Sequence, residues 1–456
     1  MPSKAVAAHK PKSLIVAIAT APGRGGIGVV RVSGDGVDVV AEGVLSQPLK
    51  PRMATLARFR DAGGNAIDEG VALYFPGPHS YTGEDVLELQ GHGGSAVMQA
   101  LLRRCLELGC RIAKPGEFTE RAFLNGKLDL AQAEGVADLI EASSAEAAKS
   151  AARTLTGEFS ACVHALTHRL TELRVHVEAC IDFPEEEIDP ADRAAQQIKL
   201  EEIRALQADL ARKAKQGAVL REGITVVLIG RPNVGKSSLL NRLAGDEIAI
   251  VTPVAGTTRD HVRATILLDG VPVHLIDTAG LRATDDEVER VGIARTWGAI
   301  EKAGAALYIT VAGEQEEHGE GELLDRLPES LAVIHVRNKV DLQVEPNVSR
   351  GTMARGAGLI DVSAKTGHGI DELRQRLLTL AGWQPGAEGV FLARERHLIA
   401  LAEATAHIDA AATTHGQDEL FAEELRLAQR ALSRITGEFT ADDLLGEIFG
   451  NFCIGK

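Results

Sequence analysis

Residues 224–238, ITVVLIGRPNVGKSS, combine an apolar run, a glycine-rich loop and the start of a polar segment. The loop fits G-x-x-x-x-G-K-[ST] with Gly230, Gly235, Lys236 and Ser237. In such a loop the backbone N–H groups surround phosphates, the lysine neutralises the β and γ oxygens, and the hydroxyl binds Mg²⁺. A strand before the loop and a helix after it are the context that this chemistry requires. The stretch predicts a nucleoside-triphosphate site in an α/β domain, without distinguishing ATP from GTP.

The base is indicated by Asn338-Lys339-Val340-Asp341, which follows the apolar run AVIHVR. Guanine presents N1–H and a 2-amino group side by side, so a carboxylate such as Asp341 can accept from both, whereas adenine has no such pair of donors. Residues 363–365, SAK, follow LIDV and form the expected third wall of the base pocket. The order of these motifs predicts GTP.

The segment HLIDTAG ends with Asp277, Thr278, Ala279 and Gly280. Asp277 is expected to reach Mg²⁺ through water, while the Gly280 amide contacts the γ-phosphate. The next residue is Leu281, where small signalling GTPases carry the glutamine that orients the attacking water. Another group must therefore orient the hydrolytic water.

Two further stretches are candidates for catalysis. DDEVERVG contains Asp286, Glu287 and Glu289, although a solvated acidic first turn is the better explanation for any one of them taken singly. VTPVAGTTRD, residues 251–260, offers Thr258 as a second Mg²⁺ ligand and several carbonyls that, with Asn233, could hold a monovalent cation. The predicted GTP contacts are Asn233, Val234, Gly235, Lys236, Ser237, Ser238, Thr252, Pro253, Val254, Ala255, Gly256, Thr257, Thr258, Asp277, Thr278, Ala279, Gly280, Asn338, Lys339, Asp341, Ser363, Ala364 and Lys365.

Composition limits the classes of function. The 456 residues suggest about three domains. A net charge of −15 leaves no protein-wide positive field, so contact with a nucleic acid must be local. Five cysteines without a CxxC pair indicate a reducing compartment without a structural metal. No apolar run resembles a signal peptide or a membrane span, so we expect a cytoplasmic protein without membrane contact.

Sequence texture divides the chain into regions. Short apolar runs and glycine turns over residues 13–108 predict an α+β domain, and Ala/Leu/Glu-rich sequence over 128–216 predicts long helices. Strands and helices alternate over 224–380, as in a doubly wound α/β domain. Helical sequence returns after the linker GWQPGAEG, which predicts an α/β domain inserted into a helical one.

The chain resembles the MnmE (TrmE) family of potassium-dependent GTPases over nearly its whole length. Besides the nucleotide motifs, the resemblance rests on PGRGGIGVVRVSG, FPGPHSYTGEDVLELQGHGG, KPGEFTERAFLNGKLDLAQAE, DTAGLR and the terminal FCIGK. The ending Cys-x-Gly-Lys is the most diagnostic of these motifs.

The resemblance implies an α/β multidomain protein: an N-terminal α+β tetrahydrofolate-binding-like domain, an all-α helical domain and an inserted Ras-like P-loop α/β G domain. The expected boundaries are 1–126 for the N-terminal folate-binding and dimerisation domain, 127–220 and 382–456 for the helical domain, and 221–381 for the G domain. The family forms homodimers. With an FAD-dependent partner, MnmG (GidA), it assembles a heterotetramer or larger complex.

The implied activity is addition of a carboxymethylaminomethyl or aminomethyl group to C5 of the wobble uridine, position 34, of certain tRNAs. The implied cofactors are K⁺, Mg²⁺ and 5-formyl- or methylene-tetrahydrofolate as one-carbon donor, with FAD and NADH acting through the partner. GTP is hydrolysed to GDP and phosphate in the same process.

The family's residues carry over to matching positions. Asn233, Thr252, Val254 and Thr257 match potassium ligands, Ser237 and Thr258 match magnesium ligands, and Glu289 matches the residue that orients the water. Arg31, Glu88, Lys127 and Lys456 match folate contacts, and Cys453 matches the terminal thiol. A pterin exposes the same adjacent donors as guanine, so a carboxylate such as Glu88 suits it.

Without the resemblance, Arg31, Glu88 and Lys127 are more simply explained as members of surface ion pairs, and Cys453 as a thiol on a frayed terminus. Two rival functions share the nucleotide motifs. One is a ribosome-assembly GTPase, which the lack of a basic RNA-binding domain disfavours, and the other is a GTP-dependent switch or scaffold without modification chemistry. A folate pocket discriminates against the scaffold, which has no reason to bind tetrahydrofolate.

Overall fold

The computed structural model of the protein describes most of the chain. The described residues are 13–182, 190–245, 262–277, 297–298, 300–313, 324, 326–342, 358–385, 389–414, 416–438, 442–450 and 452–455. They fall into two compact units. Unit one comprises the described residues up to Ala137 and those from Ser433 onward, and unit two comprises Asp138–Leu432.

Unit one is built on a six-stranded sheet. Its strands are β1 (Ile15–Ile18), β2 (Gly25–Ser33), β3 (Thr55–Arg60), β4 (Ala66–Phe75), β5 (Val86–Gly93) and β6 (Arg111–Ile112). The spatial order is β3-β4-β5-β2-β1-β6, and neighbours are antiparallel except for the parallel pair β1–β6.

Buried and polar side chains alternate along β5 and so lie on opposite faces of this sheet. In β5, Leu87 and Leu89 are fully buried, whereas Glu88 between them points to the opposite face. Helices α1 (Val37–Leu45) and α2 (Ser95–Glu107) pack on the face with the leucines. The opposite face keeps polar side chains, which leaves it available for a site.

The opposite face is partly covered by α3 (Glu117–Leu124), whose Phe118 is buried against Ile15 and Ala17 of β1. The C-terminal segment also belongs to unit one. Helix α4 (Leu130–Glu141) begins here, and its apolar side chains pack against α12 (Asp442–Gly450) and Phe452.

Long helices form much of unit two. They are α5 (Ala145–Leu155), α6 (Glu158–Asp182), α7 (Pro190–Glu222), α10 (Glu395–Thr414) and most of α11 (Asp418–Thr436). In α6 the buried residues Leu166, Leu170, Leu173 and Val177 recur at helical spacing, which explains why the Ala/Leu-rich sequence forms one-sided helices.

The second sheet lies in the same unit. Its strands are β7 (Ile224–Ile229), β8 (Val262–Leu268), β9 (Val271–Asp277), β10 (Ala305–Val311), β11 (Ala332–Asn338) and β12 (Leu359–Asp361), with helices α8 (Lys236–Ala244) and α9 (Ile370–Ala381). The order is β12-β11-β10-β7-β9-β8, parallel except for the antiparallel hairpin β8–β9. β7 and β10 are apolar and almost wholly buried, as strands covered on both faces are. The predicted fold class is confirmed: an α+β domain, a helical domain and a Ras-like α/β domain.

Among the residues described above, no helix combines the length and the apolar character needed to cross a bilayer.

Candidate functional site

The phosphate loop joins β7 to α8. Gly230 has φ +153°, and a Cβ atom there would lie 2.5 Å from the Ile309 carbonyl oxygen of β10, so only glycine lets the chain turn this close to the neighbouring strand. Gly235, with φ +94°, is the N-cap of α8, whose first turn presents Ser237 and Ser238 to solvent. A helix N-terminus with an exposed hydroxyl in its first turn suits a phosphate and its metal.

Lys236 lies across this loop. Its Nζ donates to the Gly230 carbonyl at 2.5 Å and to the Arg231 carbonyl at 3.4 Å. Two backbone oxygens therefore orient the ammonium group at the start of α8, where anionic phosphate oxygens would be bound.

Two residues of the base-recognition motif are hydrogen bonded to the phosphate loop. Asn338 is buried and donates from Nδ2 to the Val234 carbonyl at 2.9 Å, and Lys339 donates from Nζ to the Asn233 carbonyl at 2.9 Å. A Cβ on Gly235 would lie 2.5 Å from Asn338 Nδ2, so this glycine is required for the contact as well as for the turn.

The third wall holds the specificity carboxylate. Ser363 is fully buried, and its hydroxyl donates to Asp341 Oδ1 at 2.7 Å. The Ala364 amide donates to Asn338 Oδ1 at 3.3 Å, and Lys365 is exposed. Motifs that are ~100 residues apart in the sequence thus form one hydrogen-bonded pocket with one oxygen of Asp341 fixed.

The magnesium and cation side of the site is described only in part. Asp277 is the last residue of β9 and lies in register with Leu228 near the end of β7, which brings its backbone to the same sheet edge as the phosphate loop. The remaining predicted residues lie outside the described residues: Thr252, Pro253, Val254, Ala255, Gly256, Thr257, Thr258, Thr278, Ala279, Gly280, Glu289 and Lys456.

A second polar site lies on the open face of the sheet of unit one. Arg31 of β2 pairs in register with Glu88 of β5, and its Nε and Nη2 lie 3.0 and 2.9 Å from Glu88 Oε1. The guanidinium carbon also lies 5.4 Å from the ring centroid of Tyr81 and 5.8 Å from that of Phe118. Both charged side chains are about four-fifths buried, with exposures of 23% and 17%. Arg31 and Glu88 thus form an ion pair, as is expected even without the family resemblance. The pair is largely buried and lies beside two aromatic rings instead of on an exposed surface.

The loop of residues 76–85 connects Arg31 to Lys127. Tyr81 stands beside the guanidinium, Lys127 Nζ donates to the Pro78 carbonyl at 3.1 Å, and the side chain of Lys127 packs along Gly83. The Tyr81 hydroxyl is hydrogen bonded to Thr119 at 2.8 Å. Burial raises the pKa of Tyr81 above its ordinary value, which favours the neutral phenol further.

A buried ionic cluster anchors the same loop to α3. Glu84 accepts from Ser33 at 3.1 Å and from Arg121 at 2.8 Å, and Arg121 also donates to Glu117 at 2.9 Å. Burial alone would raise the pKa of Glu117, but hydrogen bonds from Arg111, the Lys114 amide and Arg121 lower it to about 2. The loop that carries Tyr81 is therefore tied to the fold by ionised groups.

The C-terminal segment ends beside this site. The Gly116 amide donates to the Cys453 carbonyl at 3.4 Å, and Ile454 forms a β-bridge with Pro115. Gly455 packs on Ile18, the last residue of β1. Ala17 pairs in register with Arg31, so Gly455 contacts β1 one residue beyond the partner of that arginine, and the Cys453 side chain is exposed.

Sequence reasoning missed the residues that surround Arg31. Tyr81 and Phe118 occur inside the quoted motifs PHSYTGED and KPGEFTE, and their aromatic character is the only signal for them. Gly116, in the second motif, was also not singled out, because the contact that makes it special joins it to residues more than ~300 positions away.

Comparisons with known proteins agree over the whole chain. A family model described as the GTP-binding protein TrmE N-terminus matches residues 14–127, and one described as the MnmE helical domain matches residues 130–453. A protein of Azoarcus sp. named tRNA modification GTPase MnmE is 59% identical over 451 residues, which are 98% of this chain and 99% of the relative. One of the same name from Thiobacillus denitrificans is 58% identical over 443 residues, or 97% and 98% of the two chains.

Among solved structures, Era of Aquifex aeolicus bound to GDP and AlF4⁻ is similar at 25% identity over 40% of this chain and 66% of its own. The TM-score of 0.28 is too low to support an argument about function.

Proposed function

The chain belongs to the MnmE family of tRNA modification GTPases, and on that premise we propose a specific reaction, donor and partner for it. Membership makes the chain a GTP hydrolase that acts in tRNA modification, with a guanine nucleotide and Mg²⁺ in the G domain and tRNA as the substrate. The resemblance described above supplies the finer proposal. The protein adds a carboxymethylaminomethyl or aminomethyl group to C5 of the wobble uridine of certain tRNAs, using a one-carbon unit of tetrahydrofolate.

The observation that carries the folate proposal is the setting of Glu88. Its side chain is four-fifths buried and is paired with Arg31, whose guanidinium lies beside the Tyr81 and Phe118 rings. A pterin is flat and offers adjacent N–H donors, which a carboxylate accepts, while its ring stacks on aromatic groups. The chemistry of these residues fits such a ligand.

In this proposal the chain's own groups bind and orient the donor. Glu88 accepts from the pterin edge, Arg31 and Lys127 hold carbonyl or carboxylate oxygens of the folate, and Lys456 contributes at the end of the tail. Bound folate supplies the one-carbon unit. Cys453 has an exposed side chain and lies two residues before Gly455, which contacts β1 one residue beyond the register partner of Arg31.

In the G domain, Ser237 and Thr258 hold Mg²⁺ and Asn233, Thr252, Val254 and Thr257 hold K⁺, as the family's pattern implies. Glu289 orients the hydrolytic water, and Asp341 selects guanine. The orientation of Asp341 by the buried Ser363 hydroxyl supports the last assignment.

The resemblance also supports an assembly. The N-terminal domains form a homodimer, and an FAD-dependent MnmG partner, which uses NADH, joins it in a heterotetramer or larger complex. The domain boundaries at 126, 220 and 381 and a cytoplasmic location belong to the same proposal.

Analysis of tRNA nucleosides tests the reaction. Cells that lack the protein should lose the modified wobble uridine, and the wild-type chain should restore it. A chain without Cys453–Lys456 should hydrolyse GTP at nearly the wild-type rate and fail to restore the nucleoside, because the tail lies in the compact unit that does not contain the GTP site. Unaltered tRNA in the deletion strain would return the protein to the switch or scaffold class.

Binding of 5-formyl-tetrahydrofolate to the purified full-length chain tests the donor. Glu88→Gln should weaken binding roughly 10- to 100-fold, since a charged hydrogen bond is lost. Glu69→Gln is the matched control, because Glu69 also pairs with an arginine across strands but is exposed. Equal affinity of both variants would place the folate elsewhere.

A further inference from the structure

The C-terminal segment 452–455, here called the tail, reaches the sheet through two glycines. Gly116 precedes α3 with φ +65°, and a Cβ there would lie 2.6 Å from the Phe449 carbonyl oxygen and 2.9 Å from Phe452 Cβ. Gly455 has φ +99°, and a Cβ there would lie 2.4 Å from the Ile18 carbonyl oxygen. Atoms at these distances overlap, so the tail fits only where both side chains are absent.

The contacts around the two glycines are continuous. Phe449 and Phe452 are buried against α4, with exposures of 2% and 6%, and fix the approach of the tail. The next residue offers its carbonyl to the Gly116 amide, Ile454 bridges Pro115, and Gly455 closes on β1. Cys453 is held between these contacts with its side chain in solvent.

We propose that Gly116 and Gly455 are positioning residues that form a slot free of side chains. The slot seats the tail on the sheet of unit one and holds Cys453, with its thiol exposed, between the Gly116 contact and the contact of Gly455 with β1. The seating rests on the contacts alone, whereas its importance for tRNA modification rests on the proposed function.

The chain offers a matched control for each glycine. Gly126 has φ +66° and Gly109 has φ +97°, and neither has an atom within 4 Å of an added Cβ. Gly126→Ala therefore introduces the same backbone strain as Gly116→Ala. Gly109→Ala likewise introduces the same backbone strain as Gly455→Ala. Only the slot variants add a steric conflict with the tail.

The first test uses carboxypeptidase digestion of the full-length protein, followed by intact mass. Gly116→Ala should be trimmed at its C-terminus roughly tenfold faster than wild type, because the tail loses its seat, while Gly126→Ala should match wild type. GTP hydrolysis should stay within about twofold of wild type in both variants, since the altered residues lie outside the unit that contains the GTP site. Equal trimming of the two variants would overturn the proposal.

The second test covers the case that Gly116→Ala does not fold. Gly455→Ala changes only the tail, and hydrogen exchange in a peptide spanning residues 113–120 reports on the Gly116 amide, which binds the Cys453 carbonyl. This amide should exchange faster in Gly455→Ala than in Gly109→Ala or wild type. Unchanged exchange would contradict the slot.

Nucleoside analysis completes the design. If the wild-type chain restores the modified uridine and the slot variants do not, the slot positions the C-terminal segment, with Cys453 and Lys456, for the reaction. If a slot variant releases its tail but still restores the full level of the modified uridine, the positioning role is wrong. A wild-type chain that restores nothing instead identifies the proposed function as the part that fails.

Discussion

At the scale of single residues, the guanine site depends on how the carboxylate of Asp341 is oriented. Ser363 donates to Oδ1 and so holds the carboxylate in one orientation, while both oxygens keep lone pairs that can accept from the two donors of guanine. The same bond would orient an asparagine at this position with its amide nitrogen towards the base, because only the oxygen can accept from the serine.

We therefore predict that Asp341→Asn changes base preference from guanine to xanthine. The amide N–H would meet guanine's 2-amino group donor to donor, whereas the xanthine carbonyl at that position accepts. GTP affinity should fall roughly 10- to 100-fold while xanthosine triphosphate affinity rises. Titration of both nucleotides measures this, with Asp371→Asn, an exposed change in the first turn of α9, as the control. Undiminished GTP binding would show that Asp341 does not read the base.

The sequence predicted this pocket well because each motif is short and its residues act through their own backbone turn. Gly230, Gly235 and Lys236 need only a strand before them and a helix after them, and both are present. The interlock of Asn338 with Val234 was not predictable in this way, because it depends on how β11 lies beside β10 and β7.

At the scale of elements, α3 connects the two halves of the polar site. Its Thr119 holds Tyr81, its Phe118 stands beside Arg31, and its Glu117 and Arg121 tie it to the sheet and to the loop of residues 76–85. The sequence predicted an α+β domain over residues 13–108, but it could not predict that α3 would partly cover the polar face of the sheet, since Phe118 has only the pattern of an apolar helix residue.

Stability of this element should depend on acid pH through Glu117. Its pKa in the folded protein is about 2, below the ordinary value of 4.5, so the ionised form stabilises the fold at pH above 4.5 and this stabilisation is lost as the pH falls towards 2. Glu117→Gln should lower the free energy of unfolding at neutral pH by roughly 1–3 kcal/mol and flatten its dependence on pH across that window.

Denaturant unfolding between pH 2 and pH 7, with hydrogen exchange of α3 as the local readout, measures the effect. Glu69→Gln serves as control, because its ion pair with Arg58 is exposed and should contribute little. An unchanged pH slope in Glu117→Gln would assign the acid sensitivity to another carboxylate.

At the scale of the whole molecule, segments that are far apart in the sequence share one compact unit. The described residues from Ser433 onward belong to the same unit as the described residues up to Ala137, although the sequence pattern assigns them to the helical region. The local pattern of residues indicates only local structure. It cannot predict the contacts of Phe449, Phe452 and Gly455, because their partners are distant in the sequence. The charge of −15 likewise describes the whole molecule without locating the local surface that a tRNA would need.

The proposed assembly predicts the ion requirement of hydrolysis. The sequence offers no recognisable arginine finger, so the transition-state charge needs another cation. Asn233 with the carbonyls of residues 252–257 offers an oxygen cage suited to K⁺ rather than the smaller Na⁺. GTP hydrolysis should therefore be faster in KCl than in NaCl at equal ionic strength, with K⁺ also promoting dimerisation of the G domains. A supplied positive charge is worth about 10³- to 10⁵-fold in related phosphoryl transfers. Equal rates in the two salts, with hydrolysis abolished by Arg259→Ala, would assign the role to an arginine.

Glu289 provides the last prediction, which concerns the water rather than the charge. If this carboxylate orients the nucleophile, it acts on the path to the transition state and makes no contact that strengthens ground-state binding. Glu289→Ala should therefore lower kcat roughly 10²- to 10⁴-fold while the affinity for a non-hydrolysable GTP analogue stays within about twofold. Glu287→Ala, two residues earlier in the same acidic stretch, carries the same loss of charge and should hydrolyse GTP at nearly the wild-type rate. Equal losses in both variants would mean that the stretch acts through its negative charge as a whole, and a parallel loss of nucleotide affinity in Glu289→Ala would make it a binding residue instead.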